Sequence, residues 1–246
     1  MCTITFIPND CDYLLAMNRD DLLTRASTLP LVRASFASHA AAYPQETGGG
    51  TWIGVNQHGI TVALLNWAVP PRGPKEKSRG TVIPQMLASV GVEHARIVYD
   101  EIDLDGIYPF RLIGIFPVDR SIIEWRWDGE ARREQSLEWG ARQWFSSGAG
   151  DDEAARIRSA VSRTHWHDEG VGSREWLRRL HASHEPEQGV FSICAHRDVG
   201  GTLSYTEIEV AAQHVALSYS PVAPCKGIDF SDEVTMPRLV RTAAFV

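Results

Sequence analysis

The chain has 246 residues, 43% of them hydrophobic, and a formal charge of −7, so it carries enough apolar material for a sizeable core. The acidic balance, without any basic run, argues against a protein that grips successive phosphates of a nucleic acid. No apolar stretch reaches the length of a membrane span and no basic start precedes an apolar run. The four cysteines, Cys2, Cys11, Cys194 and Cys225, are scattered without a C-x-x-C pair, which points to a reducing cytoplasm and requires no metal or other cofactor. One domain spanning 1–246 is the expectation.

The chain opens Met1-Cys2-Thr3-Ile4-Thr5-Phe6, a strand that begins with a cysteine once a single methionine is removed. Such a residue carries a thiol and an α-amine together, with unperturbed pKa values of about 8.5 and about 7.7–8.0, so it can supply both nucleophile and base. A cysteine near a start codon is more often a small buried hydrophobe, and the neighbouring residues shift the balance toward chemistry. Ile7-Pro8-Asn9-Asp10-Cys11-Asp12 is dense in turn formers, and Tyr13 to Met17 reads as the return strand of a hairpin. With a loop over 8–11, Cys2 faces Met17, and Arg19 lies diagonal to Cys2 on the same face, roughly 5–8 Å away. A guanidinium at that range favours thiolate over thiol.

After Gly48-Gly49-Gly50, a second hairpin is signalled by Trp52–Asn56 and Ile60–Asn66, joined through Gly59. Its second strand is apolar on both faces, so it belongs inside a layered structure. Asn66 closes that strand, where its amide either donates to an arriving group or simply begins the loop before Trp67 and Pro70-Pro71. Residues 68–80, rich in Pro, Gly, Lys and Arg, predict a loop. Helices are predicted over 81–90, 93–102, 151–163 and 173–183, and strands over 111–116, 121–127, 189–195, 202–210 and 214–219. Strands and helices in this order suggest an α+β body of sheets with helical covering layers.

Met1-Cys2-Thr3, Asn18-Arg19-Asp20-Asp21, Gly49-Gly50-Thr51-Trp52-Ile53-Gly54-Val55-Asn56 with Gly59, Leu65-Asn66 and Ser78-Arg79-Gly80 occur in one order and spacing. Together they resemble the NRDE family, also called the transport and Golgi organisation 2 family. Tyr108-Pro109-Phe110 and Ser192-Ile193-Cys194 extend the likeness. That family is similar to the N-terminal nucleophile hydrolases of the cysteine branch, which includes bile-salt hydrolases and penicillin V acylases. The resemblance implies a four-layer αββα sandwich with the nucleophile starting an inner strand.

It also implies roles for named residues. Cys2 attacks an amide carbonyl, Arg19 steadies the thiolate, Asp20 orients the Cys2 amine, and Asn66 binds the oxyanion. Asp21 is the second acidic candidate, and Trp52 and Trp67 flank the expected site as walls of an acyl pocket. Three positions depart from the family pattern. Asp21 stands where a Glu is expected, Ser146-Ser147 where Ser-Asn is expected, and Leu203 where an Arg is expected. An amide donor missing from an oxyanion site costs roughly 10²–10³ in rate. The resemblance allows a second class of function, a non-catalytic carrier of an apolar ligand such as haem, lipid or acyl-coenzyme A. The histidines His165, His167, His181 and His184 meet none of the strong metal-ligand spacings and are read as solvated.

Overall fold

The computed structural model describes residues 2–9, 12–25, 28–70 and 76–239. Alternating side chains fold β1 (Cys2–Asn9) and β2 (Asp12–Leu22) into the predicted hairpin. The register differs by two residues from the expected one. Cys2 pairs with Arg19, Ile4 with Met17 and Phe6 with Leu15, and the ladder runs on to Asn9 and Asp12. A two-residue shift keeps each side chain on its face, so Arg19 becomes a direct neighbour of Cys2 instead of a diagonal one. Pro8 reads as a turn former but belongs to β1: the strand on its other side pairs only over Cys2–Phe6, beyond which no donor is needed there. Positions 10 and 11, part of the expected loop, lie outside the described residues.

The chain next builds a second sheet in sequence order. Its strands are β3 (Thr28–Ser35), β4 (Ala40–Glu46), β5 (Ile53–Asn56), β6 (Thr61–Asn66), β7 (Phe110–Phe116), β8 (Ser121–Trp127) and β9 (Arg132–Leu137), antiparallel throughout. β10 (Arg142–Ser146) then returns to pair with β1. β11 (His196–Arg197), β12 (Gly200–Val210), β13 (His214–Ser220) and β14 (Asp232–Pro237) complete the first sheet in the order β10-β1-β2-β12-β13-β14, with β11 against β12. The helices are α1 (Val82–Met86), α2 (Val92–Glu101), α3 (Asp151–His165) and α4 (Arg174–Ala182).

Apolar faces set the layers. Ile4, Phe6, Leu15 and Met17 of the first sheet pack on Ile53, Val55, Ala63 and Leu65 of the second. The other face of the second sheet, with Val62, Leu64, Leu112 and Trp125, is covered by Val82, Ile83 and Met86 of α1 and Tyr99 of α2. The outer face of the first sheet, with Ala16 and Tyr205, is covered by Val161 of α3 and Trp176, Leu177 and Leu180 of α4. The result is helix, sheet, sheet, helix, the αββα order expected. β6 is apolar on both sides because each side has a layer against it. The hairpin between β5 and β6 turns through Gly59 at φ 73°, whose carbonyl accepts from Tyr13 Oη at 2.7 Å and so ties the two sheets together. Among the described residues no helix is long and apolar enough to cross a membrane.

Some predicted elements are corrected. The helix expected over 81–90 ends at Met86, because buried Asn56 captures the carbonyls of Leu87 and Ser89 through Nδ2 at 3.0 and 2.7 Å and holds the chain in a turn. The strand expected over 189–195 is irregular; Asn18 Nδ2 donates to Ile193 O at 3.0 Å, taking the place of a ladder partner. Of the loop over 68–80, positions 71–75 lie outside the described residues.

His181, read as solvated, is fully buried on α4. Its Nδ1 lies 3.0 Å from Asn18 Oδ1 and its Nε2 lies 2.9 Å from Thr5 Oγ1. Burial, reinforced by the Arg158 charge, pushes its pKa down to about 3. The unfolded chain binds a proton at this histidine near pH 6.5 and the folded chain does not. Stability is therefore full above that pH and falls as pH drops from about 6.5 toward 3, by up to about 1.4 kcal/mol per pH unit. Urea unfolding at pH 7 and pH 5 should record the loss, and His181→Gln should flatten it.

Candidate active site

Cys2 begins β1 between two neighbours, Ser146 on β10 and Arg19 on β2. Its backbone N donates to Ser146 Oγ at 2.9 Å. The Arg19 guanidinium stacks on Trp52, 4.4 Å from the ring centroid. Its Nη2 reaches Asp21 Oδ2 at 2.9 Å and Glu46 Oε1 at 2.7 Å. Arg25 joins the same carboxylates from the solvent side, at 3.2 Å to Asp21 and 2.7 Å to Glu46. Arg19 is 3% exposed, so two carboxylates and an aromatic face fix it in one position beside Cys2.

A cleft of about 350 Å³ opens over this cluster, and Cys2, Arg19, Asp20, Asp21, Trp52 and Asn66 all line it. Six of the seven residues expected at the site thus border one cavity. The exception is Trp67, which does not line the cleft; it packs against the Arg126 guanidinium, 5.9 Å from the ring centroid. It is the first residue past β6, and its backbone N donates to Pro109 O at 3.4 Å. Asn66 is half-buried, and its side-chain amide makes no hydrogen bond among the described residues. The Trp52 indole Nε1 is buried and likewise unpartnered among them.

The Cys2 thiol feels opposed influences. Burial prevails and, with the Asp20 carboxylate, pushes its pKa up, while the Asp20 backbone N–H and the Arg19 guanidinium pull it down in part. The Asp20 carboxylate accepts from Thr202 Oγ1 at 2.6 Å and faces Arg158 Nη2 at 3.4 Å, both side chains of the Asp20–Arg158 pair being fully buried. Arg158 also donates to Thr3 Oγ1 at 2.9 Å and to Cys2 O at 3.4 Å. One guanidinium from α3 thus pins the start of β1 and the acidic residue beside it.

Of the positions that depart from the family pattern, Asp21 lines the cleft and holds Arg19, whereas Ser147 and Leu203 have other work. Ser147 forms the turn into α3, its N donating to Asp151 Oδ1 at 2.6 Å and its Oγ accepting from Ala149 N at 3.2 Å. Leu203 is buried at a bulge, between Thr202 opposite Asp20 and Ser204 opposite Arg19. Neither residue lines the cleft.

The far wall is Ser78-Arg79-Gly80 with Thr51. Gly80 is required by close approach: a Cβ there would lie 2.8 Å from Thr51 N and 2.9 Å from Thr51 O. Arg79 donates to Pro109 O at 3.2 Å and stacks on Tyr108. No carboxylate lies within ion-pair distance of Arg79 among the described residues, and a Cys2 thiolate would favour its charge.

Sequence reasoning assigned no role to Glu46, Arg158 or Thr202 and treated Ser146 and Arg79 only as motif letters. Arg158 had a legible signal. It occupies the buried stripe of α3 with Ala154 and Val161, where a charge needs a buried partner.

Similarity in sequence to a known family lies in the N-terminal part of the chain. Residues 1–116 match the Transport and Golgi organisation 2 family. The motif-based resemblance to this family is borne out over these residues, which hold every quoted motif except Ser192-Ile193-Cys194. A mouse relative, the Transport and Golgi organization 2 homolog, is 32% identical over 78 residues. That match covers 31% of this chain and 28% of the mouse protein's length.

Solved structures extend the comparison over the whole fold. A cysteine-to-alanine variant of conjugated bile acid hydrolase from Clostridium perfringens superposes with a TM-score of 0.57, covering 98% of this chain and 97% of its own. An arginine-to-leucine variant of the same hydrolase gives 0.56, covering 99% and 100%. Penicillin V acylase from Agrobacterium tumefaciens gives 0.53, covering 89% and 82%. Identities of 9% to 10% make these likenesses of fold alone, and the fold is the N-terminal nucleophile hydrolase sandwich.

Proposed function

We propose that this chain is an N-terminal-cysteine hydrolase that cleaves carbon–nitrogen amide bonds of a small acylated substrate. The observation that carries the reading is the convergence of Cys2, Arg19 and Asn66 on one cleft, with Cys2 at the first position of an inner strand. Removal of Met1 turns the Cys2 nitrogen, already oriented by Ser146, into a free amine. That amine takes the thiol proton as sulfur attacks the substrate carbonyl. Asp20, held by Thr202 and Arg158, orients the amine, and Arg19 steadies the thiolate.

Negative charge moves to the carbonyl oxygen, where the unengaged Asn66 amide donates to it. The protonated amine then gives its proton to the leaving nitrogen. The carbon–nitrogen bond breaks and a Cys2 thioester remains. Water, deprotonated by the same amine, attacks that thioester, releases the acid and restores the thiol.

The solved proteins that share the fold are named as an acylase and a conjugated bile acid hydrolase, in keeping with this chemistry. Arg79, without a carboxylate partner among the described residues, suits a substrate that carries its own anionic group. For carriage of haem, lipid or acyl-coenzyme A, a cleft lined by Arg19, Asp21, Arg25, Glu46, Lys77 and Arg79 offers little surface to the apolar part of the ligand.

The test compares two forms of the protein, one starting at Cys2 and one retaining Met1, each verified by intact mass. On a panel of N-acyl amino acids and N-acyl arylamides, only the Cys2-first form should turn over, because an amide nitrogen cannot act as base. Equal turnover by both forms would rule the mechanism out.

A further inference from the structure

Away from the cleft, three distant segments bring metal-binding side chains to one point. His184 lies two residues past α4, Cys194 and His196 lead into and begin β11, and Cys225 sits in the short turn Pro224–Lys226 after β13. The His196 Nε2 is 3.0 Å from His184 Nε2, 3.5 Å from Cys225 Sγ and 3.8 Å from Cys194 Sγ. All four donor atoms lie within 4.8 Å of one another. A ring nitrogen offers either one proton or one lone pair, so it cannot satisfy three such neighbours by hydrogen bonding. Four donors around one point are the arrangement a tetrahedral cation requires.

The three separations at His196, 3.0 to 3.8 Å, lie close to those of such a cation, and the widest pair, within 4.8 Å, would close slightly on binding. Zinc–nitrogen bonds of about 2.0–2.1 Å and zinc–sulfur bonds of about 2.3 Å place tetrahedral donors about 3.3–3.8 Å apart. We propose that His184, Cys194, His196 and Cys225 form a structural zinc site. Two thiolates and two neutral imidazoles balance the dication, and binding releases two thiol protons to solvent. Four protein ligands leave no open position, so the ion would brace the fold rather than act on substrate. The mixed sulfur and imidazole set favours zinc over hard cations such as magnesium or calcium.

The braced segment matters to the first site. Cys194 N donates to Ser183 O at 3.0 Å, and Ala195 N donates to Thr202 Oγ1 at 2.8 Å. That same hydroxyl donates to Asp20 at 2.6 Å. Zinc would thus fix the strand end that holds Asp20. The expectation of scattered cysteines with no metal is revised here for Cys194 and Cys225; Cys11 lies outside the described residues.

Untagged protein, purified without chelators, should carry about one zinc per chain by elemental mass spectrometry. Replacing zinc by cobalt should give the visible spectrum of a tetrahedral ion with thiolate charge-transfer bands. Cys194→Ser and Cys225→Ser should each lose both signals, and Cys2→Ala should keep them. Should the serine variants not fold, zinc release from the wild type on mercurial titration, with modification mapped to Cys194 and Cys225, reads the same ligation. Wild-type protein that takes up neither metal would overturn the proposal. So would metal retained by both serine variants, or a freshly isolated chain with Cys194 and Cys225 joined in a disulfide.

Discussion

Replacing Cys2 by alanine should abolish amide hydrolysis, lowering kcat/KM by at least about 10³-fold while the fold persists. In the proposed mechanism the thiol is the group that forms and breaks the acyl bond, and Arg19, Asn66 and Ser146, which surround it, only support it. Structurally the loss is small. Cys2 is 6% exposed and borders a cavity, so deletion of one sulfur removes little packing and should cost about 1 kcal/mol. Activity and stability are thus separable at this residue. Steady-state kinetics alongside urea unfolding would record a collapse of the first with a minor change in the second. Parallel loss of both would mean that Cys2 serves the core and not the chemistry.

Arg158→Met carries the largest expected effect on stability, about 3–5 kcal/mol. The guanidinium is wholly buried and spans Asp20, Thr3 and the Cys2 carbonyl, together with Val190 O and Phe191 O at 3.4 and 3.3 Å. Methionine fills much of the volume but leaves a buried carboxylate without its cation. A chain of this size should lose on the order of 10 °C in Tm, read by calorimetry. The double change Arg158→Met with Asp20→Asn removes both charges and should recover part of the loss, since an unpaired buried charge costs more than no charge. A double variant less stable than Arg158→Met would contradict the pairing.

How much of this was legible in the sequence depends on the range of the contact. The β1–β2 and β5–β6 hairpins derive from alternation and turn residues close together in the chain, and both form. Their register was less legible, because Pro8 has the composition of a turn and the geometry of a strand. β9, read as no element, is RREQSL: it is an edge strand, and edge strands tolerate charge. Ser146 beside the Cys2 nitrogen depends on pairing across 144 residues, which no local pattern encodes. The same limit hid the grouping of His184, Cys194, His196 and Cys225, whose spacings match no familiar ligand motif. Cys2, Arg19, Asp20, Asp21, Trp52 and Asn66 border one cleft; hairpin geometry pairs Arg19 with Cys2, and motif resemblance names the others. Trp67 does not line the cleft, since adjacency to Asn66 in sequence does not carry past the end of β6.

Acylation of the N-terminal sulfur can be observed directly. Mature protein lacking Met1 is exposed briefly to a β-lactone acyl donor, then analysed by intact mass and peptide mapping. The expected result is one acyl group per chain, on Cys2, absent from Cys2→Ala and shed slowly in water. A stoichiometric adduct on Cys194 or Cys225 with Cys2 untouched, or no adduct at all, would contradict an N-terminal cysteine nucleophile.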